Sequence, residues 1–488
     1  MQVSATTGAP LETGADTIVV GLFAGKGIPH DVPDGTLQAL VDSGEAKSRF
    51  RALAVAHAEG RRWILVGLGE REQFDAERAR VAAAVAVGRA RELSARRLCW
   101  ELPHKVGDDV PGALVEGTLM AAYRFDAFKG AKRDDEGDSA PGLDELVVSA
   151  HHDVAAAVER AAVVAEAVNA MRDLQNTPAN HMTPSALGHR ALELASRFDS
   201  VSVEVEGREE ILERGMGAFA AVAQGSYEEP ALITLRYSGA GAGGAPALGL
   251  VGKAVTFDSG GLSIKPAKGM EGMKFDMSGG AAVIEAIGAM AALELPINVV
   301  GVVGATENMP SGRSVRPGDV VTAMSGTTIQ VDNTDAEGRM VLADCLAHAV
   351  ELGCERLVDL ATLTGAIEVA LGTTYAGLLS NDDALAATLE DAGRATGDLV
   401  WRLPLHPEYA EMIKGQYADI VNTTPHRKAG SITAAHFLER FVGGRPWAHL
   451  DIAGAADDAG RPYAPKGGSG FGVRLLVELA RRLSSDAR

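Results

Sequence analysis

The chain has 488 residues, which is enough for two or three domains with substantial cores. Its hydrophobic content of 46% and its mixed charges are typical of a globular protein and exclude a disordered one. The formal net charge of -19 argues against non-specific nucleic-acid binding and against an anionic membrane surface as partners.

The first part of the chain alternates between strand and helix patterns. An Ala-rich run at 78–93 has helical periodicity. Apolar runs of strand length predict strands at 17–23, 62–67, 98–102 and 145–149. Residues 130–142 are charged and contain Gly and Pro, which predicts a surface loop. This region therefore reads as an α/β module, although its role does not follow from its residues.

A long Ala- and Val-rich helical pattern at 153–174 joins this region to a second one. We predict a smaller N-terminal α/β domain at 1–165 and a C-terminal α/β domain at 166–488. Helices are predicted at 279–293 and 339–351, and strands at 231–237, 248–251, 297–303 and 356–360. Near-continuous apolar strands between helices predict a mainly parallel central sheet covered on both faces.

Three further features concern the compartment. The first residues lack a basic region followed by an apolar core, so we expect no signal peptide. No apolar stretch is long and uninterrupted enough to predict a membrane span. The cysteines Cys99, Cys345 and Cys354 are widely spaced, so we expect them to be reduced thiols in the core. A cytoplasmic protein is expected.

Two carboxylates stand close together ahead of a predicted helix, in the segment Asn333–Met340. In an extended segment, Asp335 and Glu337 would share one face and could bind a divalent cation. On their own they are more simply read as partners of the helix N-terminus.

A second charged cluster lies upstream, in Gly-rich segments around short apolar runs. It contains Lys253, Asp258, Lys265 and Asp276. Taken singly, the lysines are read as solvated and Asp276 as a helix cap. Together with Asp335 and Glu337, they would be explained by a pair of metal ions that share carboxylates.

These segments resemble the signatures of the leucyl aminopeptidase (cytosol aminopeptidase) family. The run Asn-Thr-Asp-Ala-Glu-Gly-Arg at 333–339 matches the family's hallmark, and residues 251–277 follow its upstream pattern. Further matches in the second half lie at 307–310, 316–319, 361–366 and 447–454, whereas the first half matches only thinly, at 116–117 and 123–126. The resemblance implies a metallo-exopeptidase, a hydrolase that releases N-terminal residues, preferentially leucine or other apolar ones, from peptides.

The resemblance also implies a ligand set for two divalent ions per subunit. One ion would be held by Lys253, Asp258, Asp276 and Glu337, and the other by Asp258, Asp335 and Glu337. Lysine can coordinate only as the neutral amine, and a neighbouring dication lowers its pKa. The family usually binds zinc, with manganese, cobalt or magnesium at the looser site.

Two residues are expected to be catalytic. With two ions bound, an activated hydroxide would attack the scissile carbonyl. Protonated Lys265 could then stabilise the oxyanion of the tetrahedral intermediate. The resemblance implies that Arg339 holds a bicarbonate ion that serves as general base, which suits a planar guanidinium. The alternative for Arg339 is a salt bridge to Asp335 or Glu337.

The resemblance implies a side-chain pocket and a homohexamer whose catalytic domains cluster at the centre. Positions that match the family's pocket are Met273, Thr362, Gly365, Ala453 and Ala456. Relatives commonly have a bulkier residue at the last position, so the pocket is expected to be roomier here.

Other readings stay open at this stage. A dinuclear phosphoesterase would share bridged metals but typically uses His ligands, and none lies in these motifs. A DNA-binding regulator would need a basic face, which the acidic balance disfavours. A family member that has lost its activity would be expected to lack some of the metal-binding residues. His348, His436 and His449 are read as packing residues, and His151 and His152 as solvated surface.

Overall fold

A computed structural model describes residues 1–130, 142–241, 244–424, 426 and 428–486. Most of the surface loop predicted at 130–142 lies outside the described residues. The chain forms two compact units. The first contains Met1–Asn169 with Gly460–Pro465, and the second contains Ala170–Ala459 with Lys466–Arg488.

The first unit is built on a six-stranded sheet of order β1-β6-β5-β2-β4-β3. Its strands are β1 Gln2–Thr6, β2 Thr17–Phe23, β3 Leu53–Ala58, β4 Arg61–Gly69, β5 Arg97–Glu101 and β6 Glu145–Ser149. Neighbours are parallel except for β3, which pairs antiparallel with β4. Its helices are α1 Thr36–Asp42, α2 Ala76–Glu92 and α3 Val110–Ala122, with 3-10 turns at Pro10–Thr13 and Arg71–Gln73. Helix α4 Ala155–Asn176 begins in this unit, and its residues from Ala170 onward belong to the second.

The second unit is built on an eight-stranded sheet of order β15-β14-β17-β13-β9-β10-β8-β7. Its strands are β7 Val201–Glu206, β8 Ala231–Ser238, β9 Leu248–Asp258, β10 Asn298–Asn308, β13 Leu357–Ala361, β14 Ala376–Ser380, β15 Val400–Arg402 and β17 Trp447–Asp451. A small sheet of order β11-β12-β16 contains β11 Val320–Thr322, β12 Thr328–Gln330 and β16 Ile420–Val421. The central pairs β17/β13, β13/β9 and β9/β10 are parallel.

Helices of the second unit pack around this sheet. They are α5 Pro184–Arg197, α6 Arg208–Glu213, α7 Gly217–Ala223, α8 Ser278–Ala292, α9 Gly338–Glu351, α10 Gly365–Leu371, α11 Asp383–Thr396, α12 Gly430–Glu439 and α13 Val473–Asp486, with 3-10 segments at Met270–Met277 and Pro407–Ile413. Almost the whole of α8 is buried. The predicted two-domain α/β architecture with a mixed, mostly parallel sheet is confirmed.

The segment Met270–Ala292 is long and apolar enough to cross a membrane by composition. However, 89% of its most apolar window is buried inside the protein, as expected for a core helix that packs on a sheet. The sequence pattern did not predict a membrane span here, because the charges near the start of this segment interrupt the apolar run.

Two strands are longer than the sequence predicted, and this changes where the site residues lie. Strand β9 continues from Leu248 to Asp258, and β10 continues to Asn308. Lys253 and Asp258, which the sequence placed in a loop after β9, therefore belong to the strand itself. Lysine and aspartate are rarely buried unless they are paired, so their charges hid the strand from the sequence pattern.

Candidate metal centre

The carboxyl ends of three parallel strands meet at the candidate site. Asp258 ends β9, and Asn308, its partner in register, ends β10. Thr362 comes directly after β13, the neighbour of β9 on the other side. Ligand sites of α/β sheets form at this edge. Three sequence segments are thereby brought together although they are far apart along the chain.

Tight backbone turns return the chain toward Asp258 after β9. Gly260 and Gly261 both have positive φ, at 86° and 63°. A Cβ at Gly260 would lie 2.9 Å from Oδ1 of Asp335, so only glycine fits between the two segments. The turn brings Lys265 back, and its Nζ lies 2.8 Å from Asp258 Oδ2 and 2.5 Å from Asp335 Oδ1.

The predicted extended conformation of Asp335 and Glu337 is wrong. Asp335 lies in a turn, and Glu337, the N-cap residue that precedes α9, has helical angles, φ -80° and ψ -36°. The two carboxylates nevertheless face the same cluster because the turn reverses the chain between them. Thr334 fixes this turn, since its Oγ1 donates to the carbonyl of Gly260 at 2.7 Å.

Lys253 is surrounded by the other carboxylates. Its Nζ lies 2.7 Å from Asp276 Oδ1 and 2.7 Å from Glu337 Oε1, and it donates to the carbonyl of Thr362 at 3.0 Å. Only 3% of the lysine side chain is exposed. The hydroxyl of Thr362 donates to the same oxygen of Asp276 at 2.8 Å. The five proposed metal ligands therefore belong to one ionic network, in which Asp335 is partly exposed and the other four are buried.

Burial and mutual charge change the pKa values of these groups. Burial raises the pKa of Asp276 well above its usual range, and burial also raises the pKa values of Asp258 and Asp335. Burial lowers the pKa of Lys253, but Asp276, Glu337 and Asp258 raise it by more, so the net shift is upward. The pKa of Lys265 rises for the same reason, with Asp258 as the chief contributor.

The residues present fit divalent cations. Asp258, Asp335 and Glu337 each offer a carboxylate oxygen, and these oxygens lie within 4.8 Å of one another. Within the described part of the chain, Oδ2 of Asp276 is buried without a hydrogen-bond partner. Buried carboxylates need cationic partners, and the two lysines supply positive charge where metal ions would otherwise supply it. Hard oxygen donors suit manganese and magnesium and are also found around zinc.

Arg339 lies on the first turn of α9 and is buried. Its Nη1 donates to the carbonyl of Asn422 at 2.9 Å, and among the described residues its Nε has no hydrogen-bond partner. The salt bridge to Asp335 or Glu337 that was the alternative reading does not form between these residues. Burial lowers the pKa of Arg339 to about 10, so the guanidinium stays charged at neutral pH.

The residues of the predicted side-chain pocket differ in exposure. Met273, Thr362 and Ala453 are half-buried, and Gly365 is exposed. Ala456, in contrast, is fully buried, and its carbonyl accepts a hydrogen bond from Nε2 of Gln175 at 3.0 Å. Its methyl group therefore does not line an accessible pocket.

Two asparagines that the sequence analysis did not select support the site. Asn308 Nδ2 donates to Asp258 Oδ1 at 2.8 Å and to the carbonyl of Thr334 at 2.9 Å. Asn422 Nδ2 donates to the carbonyl of Asn333 at 2.7 Å. The resemblance at 307–310 covered Asn308, but no local pattern marks Asn422, which lies far along the chain.

These observations define a class: a two-domain α/β protein with a buried carboxylate–lysine centre suited to divalent metals at the carboxyl ends of its central strands. Profiles of the "Cytosol aminopeptidase family" match residues 169–477 for its catalytic domain and 24–132 for its N-terminal domain. The chain belongs to the cytosol aminopeptidase family. Membership supports a metal-dependent aminopeptidase, and the resemblance seen in the sequence is confirmed.

Relatives match along the whole chain. A "Probable cytosol aminopeptidase" of Roseiflexus castenholzii is 45% identical over 99% of both chains, and one of Solibacter usitatus is 43% identical over 96% of both. Among solved structures, "Bottromycin maturation enzyme BotP" is 37% identical with a TM-score of 0.86, covering 97% of this chain and 100% of its own. The same enzyme "in complex with Mn" is 36% identical with a TM-score of 0.86, covering 96% of this chain and 100% of its own.

Proposed function

We propose that the protein is a two-metal leucyl aminopeptidase that removes N-terminal leucine and other apolar residues from peptides. The observation that carries this proposal is the cluster of buried Asp258 and Glu337 with partly buried Asp335, whose oxygens converge within 4.8 Å. Lys253 and Asp276 extend the cluster through contacts of 2.7 Å. Family membership gives this cluster an aminopeptidase context.

Two divalent ions would be held by the five residues named from the sequence. Lys253, Asp258, Asp276 and Glu337 would hold one, and Asp258, Asp335 and Glu337 the other. When bound, such ions bind the substrate's amine and carbonyl and lower the pKa of water. Zinc and manganese are the proposed metals, with magnesium or cobalt as substitutes, and a manganese complex of a solved relative supports manganese.

The chain's own residues would position and neutralise the reacting groups. Lys265 keeps its proton, because the carboxylates around it raise its pKa, and can therefore donate to an oxyanion. Asn308 holds Asp258 in one orientation through its 2.8 Å hydrogen bond. Met273, Thr362, Gly365 and Ala453 would contact the substrate side chain, while buried Ala456 would set the packing behind them.

Arg339 is proposed to bind bicarbonate, which would serve as the general base. The buried guanidinium has one N–H without a partner among the described residues, and a charge that burial leaves intact at neutral pH. A planar anion pairs well with such a group. The rate should then fall in carbon-dioxide-free buffer and recover when bicarbonate is added.

A dinuclear phosphoesterase is the other enzyme class that the sequence allows, and the site favours the peptidase. Within the described residues, the carboxylate cluster contains no histidine, the ligand that such phosphoesterases typically add. The names of the relatives support a cytosolic enzyme. A homohexamer is proposed as the assembled form.

Hydrolysis of a leucine anilide tests the proposal. Chelator-stripped protein should be inactive, and activity should return when about two zinc or manganese ions are bound per chain. An N-acetylated leucine anilide is the matched control, because it lacks the free amine and should not be cleaved. Full metal occupancy without hydrolysis of the free-amine substrate would contradict the proposal.

A further inference from the structure

Three histidines of the N-terminal unit lie together at one edge of its sheet. His30 follows β2, His104 follows β5 and His151 follows β6. These strands are adjacent and parallel, in the order β6-β5-β2. The carboxyl ends of adjacent parallel strands are where α/β proteins place ligands. The histidines therefore converge because of the topology, although they are far apart in sequence.

The imidazole rings are close enough to share one ion. One ring nitrogen from each histidine lies within 4.8 Å of the others. Nε2 of His151 lies 2.8 Å from Nε2 of His104, and the ring centroids of His30 are 5.3 Å and 5.5 Å from theirs. In a tetrahedral zinc site, ligand nitrogens are about 3.3 Å apart. The Nε2 atoms of His104 and His151 would have to move slightly apart to reach this spacing.

A buried carboxylate orients the first of these rings. Glu101 is the last residue of β5 and only 4% exposed, and its Oε1 contacts Nδ1 of His30. A carboxylate on one ring nitrogen of a metal-bound histidine fixes the tautomer and makes the other nitrogen a better donor. Here it would leave Nε2 of His30 for an ion.

The surroundings of the cluster also suit a ligand. A cavity of about 340 Å³ is lined by His30, His151 and Glu101 together with apolar side chains. Arg71 contacts the carbonyl of His104 and so ties the loop after β5 in place.

We propose that His30, His104 and His151 form a second metal site, for a zinc-class divalent transition ion. A fourth ligand, water or a small anion, would be supplied from solvent or from the cavity that His30 and His151 line. Imidazole nitrogens select zinc, copper, nickel or cobalt, whereas the carboxylate cluster of the catalytic unit also accepts harder ions such as manganese. The two sites thus differ in donor chemistry and lie in different compact units. His151, read from the sequence as solvated surface, is exposed but belongs to this cluster.

Metal counting on the full-length protein tests the site. After equilibration with zinc and removal of free metal, the wild type should hold about three ions per chain, one more than the catalytic site needs. The double variant His30→Ala/His151→Ala should hold one fewer. Both side chains are exposed, so the fold should tolerate their removal. His152→Ala is the matched control, because His152 is the exposed neighbour of His151 and stands outside the cluster.

Two further measurements make the test independent of folding and of catalysis. Cobalt titrated into the wild type should give a visible absorption component, in addition to that of cobalt in the carboxylate site, that the double variant lacks and His152→Ala retains. Glu101→Gln should weaken this binding by about 10- to 100-fold. Leucine anilide hydrolysis should be the same in all variants, so a failure of the proposed peptidase function would be seen separately. Equal zinc content and equal cobalt spectra in wild type and double variant would overturn the proposal.

Discussion

Two lysines lie in the same ionic cluster but in different environments. Lys253 has a side chain that is only 3% exposed and contacts Asp276 and Glu337, whereas the side chain of Lys265 is 21% exposed. A lysine enclosed by carboxylates is placed to bind the same metal ion as they do. A partly exposed lysine can instead reach a substrate. The difference in exposure supports the proposed roles, Lys253 as a metal ligand and Lys265 as an oxyanion donor.

Replacing Lys265 with Met should lower kcat by about 10²- to 10³-fold, the usual effect of removing one oxyanion donor. KM should change much less, because the contact forms only as charge develops on the carbonyl oxygen. Lys265→Arg should recover part of the rate, since it keeps a positive donor. Steady-state kinetics on fully metal-loaded enzyme is the measurement.

The matched control for this prediction is Lys268→Met, which removes an exposed lysine from the same loop. It should leave kcat unchanged. If Lys265 serves only to neutralise Asp258 and Asp335, then its loss would change metal affinity and leave kcat at full occupancy intact. That result would remove the oxyanion role.

At the scale of elements, the start of α9 is packed directly against Lys253. A Cβ built on Gly338 would lie 2.6 Å from the lysine Nζ and 2.5 Å from its Cε. A larger residue at this position would therefore have to displace the lysine side chain. Glu337, the preceding residue, contacts the same amine at 2.7 Å. One helix N-terminus thus sets the positions of both a carboxylate and a lysine.

Gly338→Ala should displace Lys253 and lower metal content and activity together, by about tenfold or more in kcat/KM, since small misplacements in a site are costly. Alanine is otherwise the better helix former, so no general loss of helix stability is expected. Gly88→Ala is the control, because Gly88 lies within α2 with nothing within 4 Å of an added Cβ. Metal analysis and hydrolysis rates would be compared, and a Gly338→Ala enzyme with normal metal content and rate would contradict the packing argument.

The sequence located most elements but misjudged the ones that carry charge. The strand predicted at 17–23 and the helix predicted at 279–293 lie where expected, because their apolar periodicity is uninterrupted. Strand β9 was cut short at Lys253, since a lone sequence does not show that Asp276 and Glu337 pair with this lysine. Local pattern cannot reveal partners that are brought in by the fold. The same limit hid Asn422.

A buried cross-strand pair links β13 and β17 behind the site. Asp359 and His449 are partners in register, and Oδ1 of Asp359 lies 2.6 Å from Nδ1 of His449 with neither side chain exposed. Trp447 Nε1 donates to the other oxygen of Asp359 at 2.7 Å. His449 is thus a packing residue with an ionic partner. Burial lowers the pKa of His449, but Asp359 and Asp451 together raise it by more, so the net shift of the pKa is upward.

His449→Gln should therefore destabilise the fold in a pH-dependent way. A histidine with a raised folded-state pKa stabilises fully below its unfolded value and loses this contribution as pH rises through the folded value. The free energy of unfolding should fall by about 3–5 kcal/mol near pH 6 and by less near pH 9. Thermal unfolding at both pH values checks it. The exposed His57→Gln on β3 should show neither effect, and a cost for His449→Gln that does not change with pH would exclude the ionised pair.

At the scale of the whole molecule, the catalytic unit exposes large apolar side chains that a lone chain would leave in water. Tyr227, Val369 and Tyr417 are 104%, 90% and 76% exposed. Single exposed apolar residues are ordinary, but side chains this open, including two tyrosines, are of the kind enriched in protein interfaces. They support the proposed assembly through catalytic units.

Light scattering should give a mass of about 300 kDa for the wild type, corresponding to a closed ring-type assembly of six chains of 50.7 kDa each. The triple variant Tyr227→Glu/Val369→Glu/Tyr417→Glu should form smaller species, because charges placed in a desolvated interface repel and lose hydration. Phe128→Glu, which alters a half-exposed residue of the N-terminal unit, should keep the wild-type mass. A wild type with the mass of one chain would refute the hexamer. An unchanged mass in the triple variant would instead place the interface on another surface of the catalytic unit.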